Sequence, residues 1–307
     1  MKKNVLVIGS TCVDVILRVD HLPKTEENIH PRSQRFAIGG CAYNVANILG
    51  RGGADMVFVT PVGRLGVFGG FVREHLTALG FADCIDLPDA QNGCCYCFVE
   101  KGGERTFASV HGAEYTFDPA WMKAYEGKRF DYVYVCGLEI EESTGEKLVS
   151  WLEEAKAAGM IDTVVYAPGP RGVRVRRELT ARLFALRPML HLNGGEALAM
   201  SGCAEPDEAM RALSLSTGNT VAATMGEGGV RCLEDGQLYT VAGEPAPHVV
   251  DTIGAGDSHC GAMLLGLCRG MALRESLALA NGVSRAVVMT DGATLSDEDF
   301  AAVVPAE

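Results

Sequence analysis

The chain has 307 residues, 48% of them hydrophobic and 21% charged, an apolar share too high for a disordered polymer. Its 27 basic residues against 39 acidic ones leave a net charge of −12. Such a chain gains nothing from counterion release on a phosphate backbone, which argues against nucleic acid as its main partner. Its 11 cysteines are odd in number and several sit in apolar runs, where Cys acts as a small hydrophobe. They read as reduced thiols of a cytoplasmic protein. No stretch reaches the about 18 uninterrupted apolar residues of a membrane span.

In chain order, MKKNVLVIGSTCVDV loosely imitates a signal peptide. Asp14 interrupts it, and no small-residue cleavage site follows, so the run reads as a first strand. Further β-branched runs fall at Met56–Thr60, Tyr132–Cys136, Thr163–Tyr166, Met189–Leu192 and Thr220–Thr224. Helical patterns lie between them at Ala42–Gly50, Phe68–Leu79, Thr144–Ala158 and Ala197–Met200, and two more close the chain at Gly254–Cys268 and Leu273–Met289. This alternation predicts βαβ units in an α/β fold, with a doubly wound, mostly parallel sheet flanked by helices.

Two segments break the rhythm. Val13–Phe36 has few helix signals, and Gly93–Val110 reads as a hairpin turning at Gly102–Gly103. Pattern alone allows either a small flap sheet or plain sheet extensions. With no repeat or long linker in view, one domain spanning 1–307 is the expectation.

Four glycine-bearing motifs carry candidate chemistry. Asp251-Thr252-Ile253-Gly254-Ala255-Gly256-Asp257 runs directly into an apolar helix. Converging backbone N–H groups and the helix's positive end suit an anion hole for a moving phosphoryl group. Asp257 is placed to take a proton from an attacking hydroxyl, or merely to cap the helix. Gly39-Gly40-Cys41-Ala42-Tyr43-Asn44 also leads into a helix, and Asn44 offers both donors and an acceptor. Asn193-Gly194-Gly195-Glu196 pairs an amide with a carboxylate suited to metal-bound water, although the same spacing fits a helix cap. Thr224-Met225-Gly226-Glu227-Gly228-Gly229 is a Gly-rich turn able to border a nucleotide.

The order and spacing of these motifs resemble the ribokinase-like (PfkB) family of carbohydrate kinases, from about Val5 to Asp299. The resemblance implies a doubly wound domain with a small β lid formed by about 13–36 and 93–110. It also implies transfer of the γ-phosphate of ATP to a hydroxyl of a small sugar, with a nucleoside as the alternative acceptor. In that reading Asp257 is the catalytic base, and Gly254, Ala255 and Gly256 line the anion hole. Asn193 and Glu196 match the Mg²⁺–phosphate element, with Glu196 acting through water, and Thr224, Gly226 and Gly229 match the nucleotide-side loop. Asp14, Gly40, Asn44 and Glu139 match sugar-binding positions, while Asp251 and Thr252 fit a monovalent cation site for K⁺.

Cys41 stands where several relatives carry Lys, and His259 stands at a usual Phe. The missing lysine favours an unphosphorylated sugar, because a second phosphate needs a cationic partner; Arg64 and Arg105 remain candidates for that role. Cys94, Cys95 and Cys97 lack the paired ligands of a zinc site, and six arginines between Arg171 and Arg187 read as a solvated face. Neither Gly-x-Gly-x-x-Gly after the first strand nor a Walker motif is present, which sets aside dinucleotide and P-loop chemistry. A catalytically silent sugar- or nucleoside-binding protein of the same fold is the non-enzyme alternative. The hairpin's exposed edge predicts a homodimer formed through the lid.

Overall fold

A computed structural model of the chain describes residues 2–81 and 84–306. The described strands are β1 (Asn4–Ile8), β2 (Cys12–Arg18), β3 (Ser33–Gly39), β4 (Asp55–Val59), β5 (Pro61–Leu65), β6 (Ile85–Gln91), β7 (Cys94–Val99), β8 (Arg105–Val110), β9 (Phe130–Cys136), β10 (Ile161–Ala167), β11 (Met189–Asn193), β12 (Val221–Thr224), β13 (Val230–Glu234) and β14 (Gln237–Val241). The chain divides into two compact units, one of Met1–Gly9, Cys41–Val59 and Thr116–Glu307, the other of Ser10–Gly40 and Thr60–Tyr115.

The larger unit holds an eight-stranded sheet in the order β4-β1-β9-β10-β11-β12-β13-β14. The first six run parallel, and β13 and β14 add an antiparallel edge. The parallel strands are near-continuous apolar runs, as in Val5-Leu6-Val7-Ile8, because helices cover such a sheet on both faces. The helix Ala255–Cys268 is buried without a break from Ser258 to Cys268, so its apolar character runs all round. It packs against the helices Cys41–Arg51 and Leu273–Val288. The approach to the former is close: a Cβ on Gly261 would lie 3.1 Å from both Ile48 Cβ and the Val45 carbonyl oxygen.

In the smaller unit, β3-β2-β7-β8 form one sheet. β2 pairs antiparallel with β3 and parallel with β7, so the two segments that break the βα rhythm share a single sheet. The β7–β8 hairpin turns where expected, with Gly103 at φ +93°. β5 and β6 make a separate two-stranded parallel ribbon.

All eleven cysteines are free. In the arginine-rich stretch Arg174, Arg176, Arg177 and Arg187 are exposed and Arg171 and Arg182 half-buried, with ion pairs at three of the six. Arg171 pairs with Glu141, Arg176 with Glu146 and Arg182 with Glu153, at 2.7, 2.8 and 2.6 Å. Among the described residues no helix is long and apolar enough to cross a membrane.

Candidate active site

The site is built around the mouth of the helix Ala255–Cys268. Its N-cap, Gly254, adopts φ +71° and supplies no side-chain cap. A Cβ there would collide with Ala293 and lie 3.2 Å from Asn44 Nδ2, so only glycine fits. Two residues on, Gly256 behaves differently, since a Cβ placed on it meets no atom within 4 Å. The flank of Gly256 is therefore open, with the positive end of the dipole behind it, while the Ala255 amide donates to the Thr252 carbonyl at 3.3 Å.

Asp257 sits half-buried in that first turn. Its Oδ2 accepts a hydrogen bond from Asn44 Nδ2 at 2.9 Å, and the Cys41 thiol bonds to the same carboxylate. Burial pushes the Asp257 carboxyl above its ordinary range, while these two bonds pull against the shift. Asn44 is itself buried, and its Oδ1 has no partner among the described residues.

Glu139 belongs to the same neighbourhood. It is buried on the short helix Gly137–Glu141, and Cys136 Sγ donates to its Oε2 at 2.6 Å. Its neighbour Glu141 is instead committed to Arg171. The Cys41 sulfur neighbours that of Cys136 and feels the charges of Asp257 and Glu139. Cys41 and Cys136 thus join two candidate carboxylates, a role that the separate motifs did not reveal.

Asn193 and Glu196 form a reciprocal capping box at the start of the helix Gly194–Ser201. Asn193 Oδ1 accepts from the Glu196 amide at 2.9 Å, and Glu196 Oε2 accepts from the Asn193 amide at 3.0 Å. The capping arrangement is therefore real. The Glu196 carboxyl is pushed up, first by burial and also by the nearby charge of Asp257. A cavity of about 380 Å³ brings Asn193, Thr224, Gly226 and Gly229 together with Ala255 and Gly256. Thr252 also lines it. Asp251 is buried, and its Oδ1 accepts from the Ile253 amide at 2.7 Å. Among the described residues no group of three or more His, Cys, Asp or Glu side chains forms a metal-binding cluster.

Within the smaller unit, Asp14 lies on β2 between Ala37 of β3 and Cys95 of β7. Its carboxylate fills the space that a side chain on Gly39 would need. Gly40 adopts φ +108°, and a Cβ there would press on the Ser10 carbonyl.

Known proteins resemble this chain in sequence and in fold. The family model described as pfkB family carbohydrate kinase matches residues 2–299. The uncharacterized sugar kinase YegV of Escherichia coli (strain K12) is 32% identical, covering 94% of this chain and 89% of its own. The ketohexokinase of Mus musculus is 27% identical over 90% of this chain and 93% of its own. The solved ribokinase of Thermotoga maritima superimposes with a TM-score of 0.83 at 20% identity, covering 99% of each chain. Motif order, a mostly parallel sheet with an antiparallel edge, and a match along nearly the whole length agree, and the chain belongs to the pfkB family of carbohydrate kinases.

Proposed function

We propose that this sugar kinase moves the γ-phosphate of ATP to a hydroxyl of a small, unphosphorylated sugar, with Asp257 as general base. The observation that carries the reading is the pairing of Asp257 with the open flank of Gly256 at an uncapped helix mouth. Phosphoryl transfer asks a protein mainly for alignment and charge neutralisation. The amides at Gly254 and Gly256 are assigned as donors to the charge that develops on the transferring group, and the Ala255 amide joins them on leaving the Thr252 carbonyl. Asp257 accepts the proton of the attacking hydroxyl, and Asn44 holds that carboxylate in place through its Nδ2 donor.

We assign Glu139 to the sugar's remaining hydroxyls and, within the smaller unit, Asp14 and the backbone turn at Gly40 to sugar binding. Two features support an unphosphorylated acceptor. The side chains bonded to Asp257 are an amide and a thiol, and Arg64, one of the cations open to a second phosphate, pairs with Asp86. Asn193, Thr224, Gly226 and Gly229 are assigned to ATP, since they line one cavity with the helix mouth.

The donor set fits Mg²⁺. Glu196 is a half-buried carboxylate raised in part by the charge of Asp257, a strain that a cation relieves. When bound, the ion neutralises phosphate charge. Asp251, a buried carboxylate beside Thr252, offers hard oxygen donors of the kind K⁺ takes. A homodimer is supported by Phe36, Phe71 and Phe107, exposed by 49%, 40% and 53% in the smaller unit. Light scattering at micromolar concentration tests it, and a monomer counts against it. Free thiols throughout fit a reducing cytoplasm.

The deciding experiment follows ADP release from MgATP with ribose, fructose, other sugars and nucleosides in turn. Sugar-dependent turnover that Asp257→Asn abolishes supports the reading. Turnover confined to nucleosides overturns the sugar assignment, and binding without turnover identifies a silent binding protein.

A further inference from the structure

His191 on β11 and His259 on the helix Ala255–Cys268 are 4% and 2% exposed. His191 Nε2 lies 2.8 Å from His259 Nδ1, and His259 Nε2 lies 3.2 Å from Asn281 Oδ1. Asn281 Nδ2 in turn lies 3.0 Å from the Val241 carbonyl and 3.3 Å from that of Ala242. These contacts admit one consistent placement of protons. Carbonyl oxygens only accept, so the Asn281 atom facing Val241 and Ala242 is the amide nitrogen, and its oxygen faces His259. That oxygen cannot donate, so His259 carries its proton on Nε2. Burial pushes both imidazoles below their ordinary range, His259 to about 4, and both are neutral at pH 7. Neutral His259 has a bare Nδ1, which accepts from His191 Nε2–H. The hydrogen bonds all run one way, from His191 to the carbonyls of Val241 and Ala242.

The chain spans three parts of the cavity wall. His191 is two residues before Asn193, and His259 is two residues after Asp257. Val241 and Ala242 press against Gly229, where a Cβ would run into both. His259 and Asn281 line the cavity themselves. Two apolar side chains would fill the same interior without desolvating two imidazoles. A directional polar chain provides instead a single spacing between the segments it joins.

We propose that His191, His259 and Asn281 are positioning residues for the nucleotide, holding the Asn193 strand end, the Gly256 helix mouth and the Gly229 loop at the separation that ADP and ATP require. The proposal rests on the assignment of this cavity to the nucleotide. Gln at position 259 keeps the order of acceptor and donor, whereas Phe keeps the bulk and loses both bonds.

The test combines nitrogen-15 NMR of the histidines in the wild-type protein with calorimetric titration of ADP. Both histidines are expected as Nε2–H tautomers. His259→Phe is expected to weaken ADP binding about tenfold, and His259→Gln to stay within about threefold of wild type. Should His259→Phe fail to fold, Asn281→Leu breaks the last link and carries the same expectation. An Nδ1–H tautomer at either histidine overturns the proposal alone, as does equal ADP affinity in the Phe and Gln variants. No ADP binding by wild-type protein overturns the cavity assignment as well.

Discussion

Asn44 Nδ2 donates to Asp257 Oδ2 at 2.9 Å across 213 residues of sequence. The bond ties the first turn of the helix Cys41–Arg51 to the first turn of Ala255–Cys268. It fixes one carboxylate oxygen. Two helix starts that look alike in sequence, each behind a glycine turn, thereby become halves of one device.

Removing the charge of Asp257 while keeping its shape separates chemistry from folding. Asp257→Asn is expected to lower kcat by about 10²–10⁴-fold, the usual contribution of a positioned base. The melting temperature should stay close to wild type, because burial already disfavours the ionised carboxylate. Steady-state ADP release at saturating sugar measures the first quantity and thermal unfolding the second. A variant within fivefold of wild type, roughly, would remove Asp257 from the base role.

The pH dependence follows from the same carboxylate. A base works only when deprotonated, and burial raises this one above the usual carboxylate range. Activity should therefore fall on acidification sooner than an exposed aspartate would allow. The Cys41 thiol stabilises the ionised form. In Cys41→Ala that support is lost, so the acid limb of kcat/KM moves to higher pH and activity at neutral pH drops in consequence. A limb that stays put or moves to lower pH would contradict the contact.

Gly254 and Gly256 make a paired test of fold against function. Gly254 is demanded by the protein itself, through φ +71° and the approach of Ala293. Gly254→Ala is expected to destabilise by about 1–3 kcal/mol, read as a lower denaturation midpoint. No protein atom demands Gly256. Gly256→Ala should leave stability within about 0.5 kcal/mol of wild type, or raise it slightly. Its turnover should nevertheless fall, because the new methyl enters the space assigned to the phosphoryl group. Full activity in Gly256→Ala would show that this space is not used.

The elements readable from sequence are those whose local pattern equals their burial. β1, β4 and β9 to β12 are apolar runs because they lie inside a parallel sheet, and their predicted bounds fall within about two residues of those observed. β5 and β6 escaped because Pro61, Gly63 and Pro88 mark turns rather than strands in most contexts. β13 and β14 escaped because they are short and only partly apolar. The site divides in the same way. Asp257 and Asn44 announce themselves through the glycines before them. The Cys41–Asp257 bond and the His191–His259 pair do not, since each joins residues from separate elements and no spacing encodes the contact. The same holds for Arg171, Arg176 and Arg182, whose acidic partners lie about thirty residues upstream.

The buried histidines also set how stability responds to acid. His259 has a folded pKa of about 4 against about 6.5 in an unfolded chain. Between those values the unfolded state binds a proton that the folded state refuses, so stability falls as pH drops through this window. The full contribution, of order 3 kcal/mol, is present above about pH 6.5 and lost near pH 4. His191, lowered by burial and by His259, acts in the same direction, while the raised carboxyls of Asp257, Glu196 and Glu114 oppose it. The difference between variants isolates one group from this sum. Urea unfolding at pH 7 and pH 5 should show His259→Phe losing less stability over that interval than wild type, by about 2 kcal/mol. Equal losses in the two proteins would mean that His259 already takes up a proton in the folded state, which the one-way chain from His191 to Asn281 does not permit.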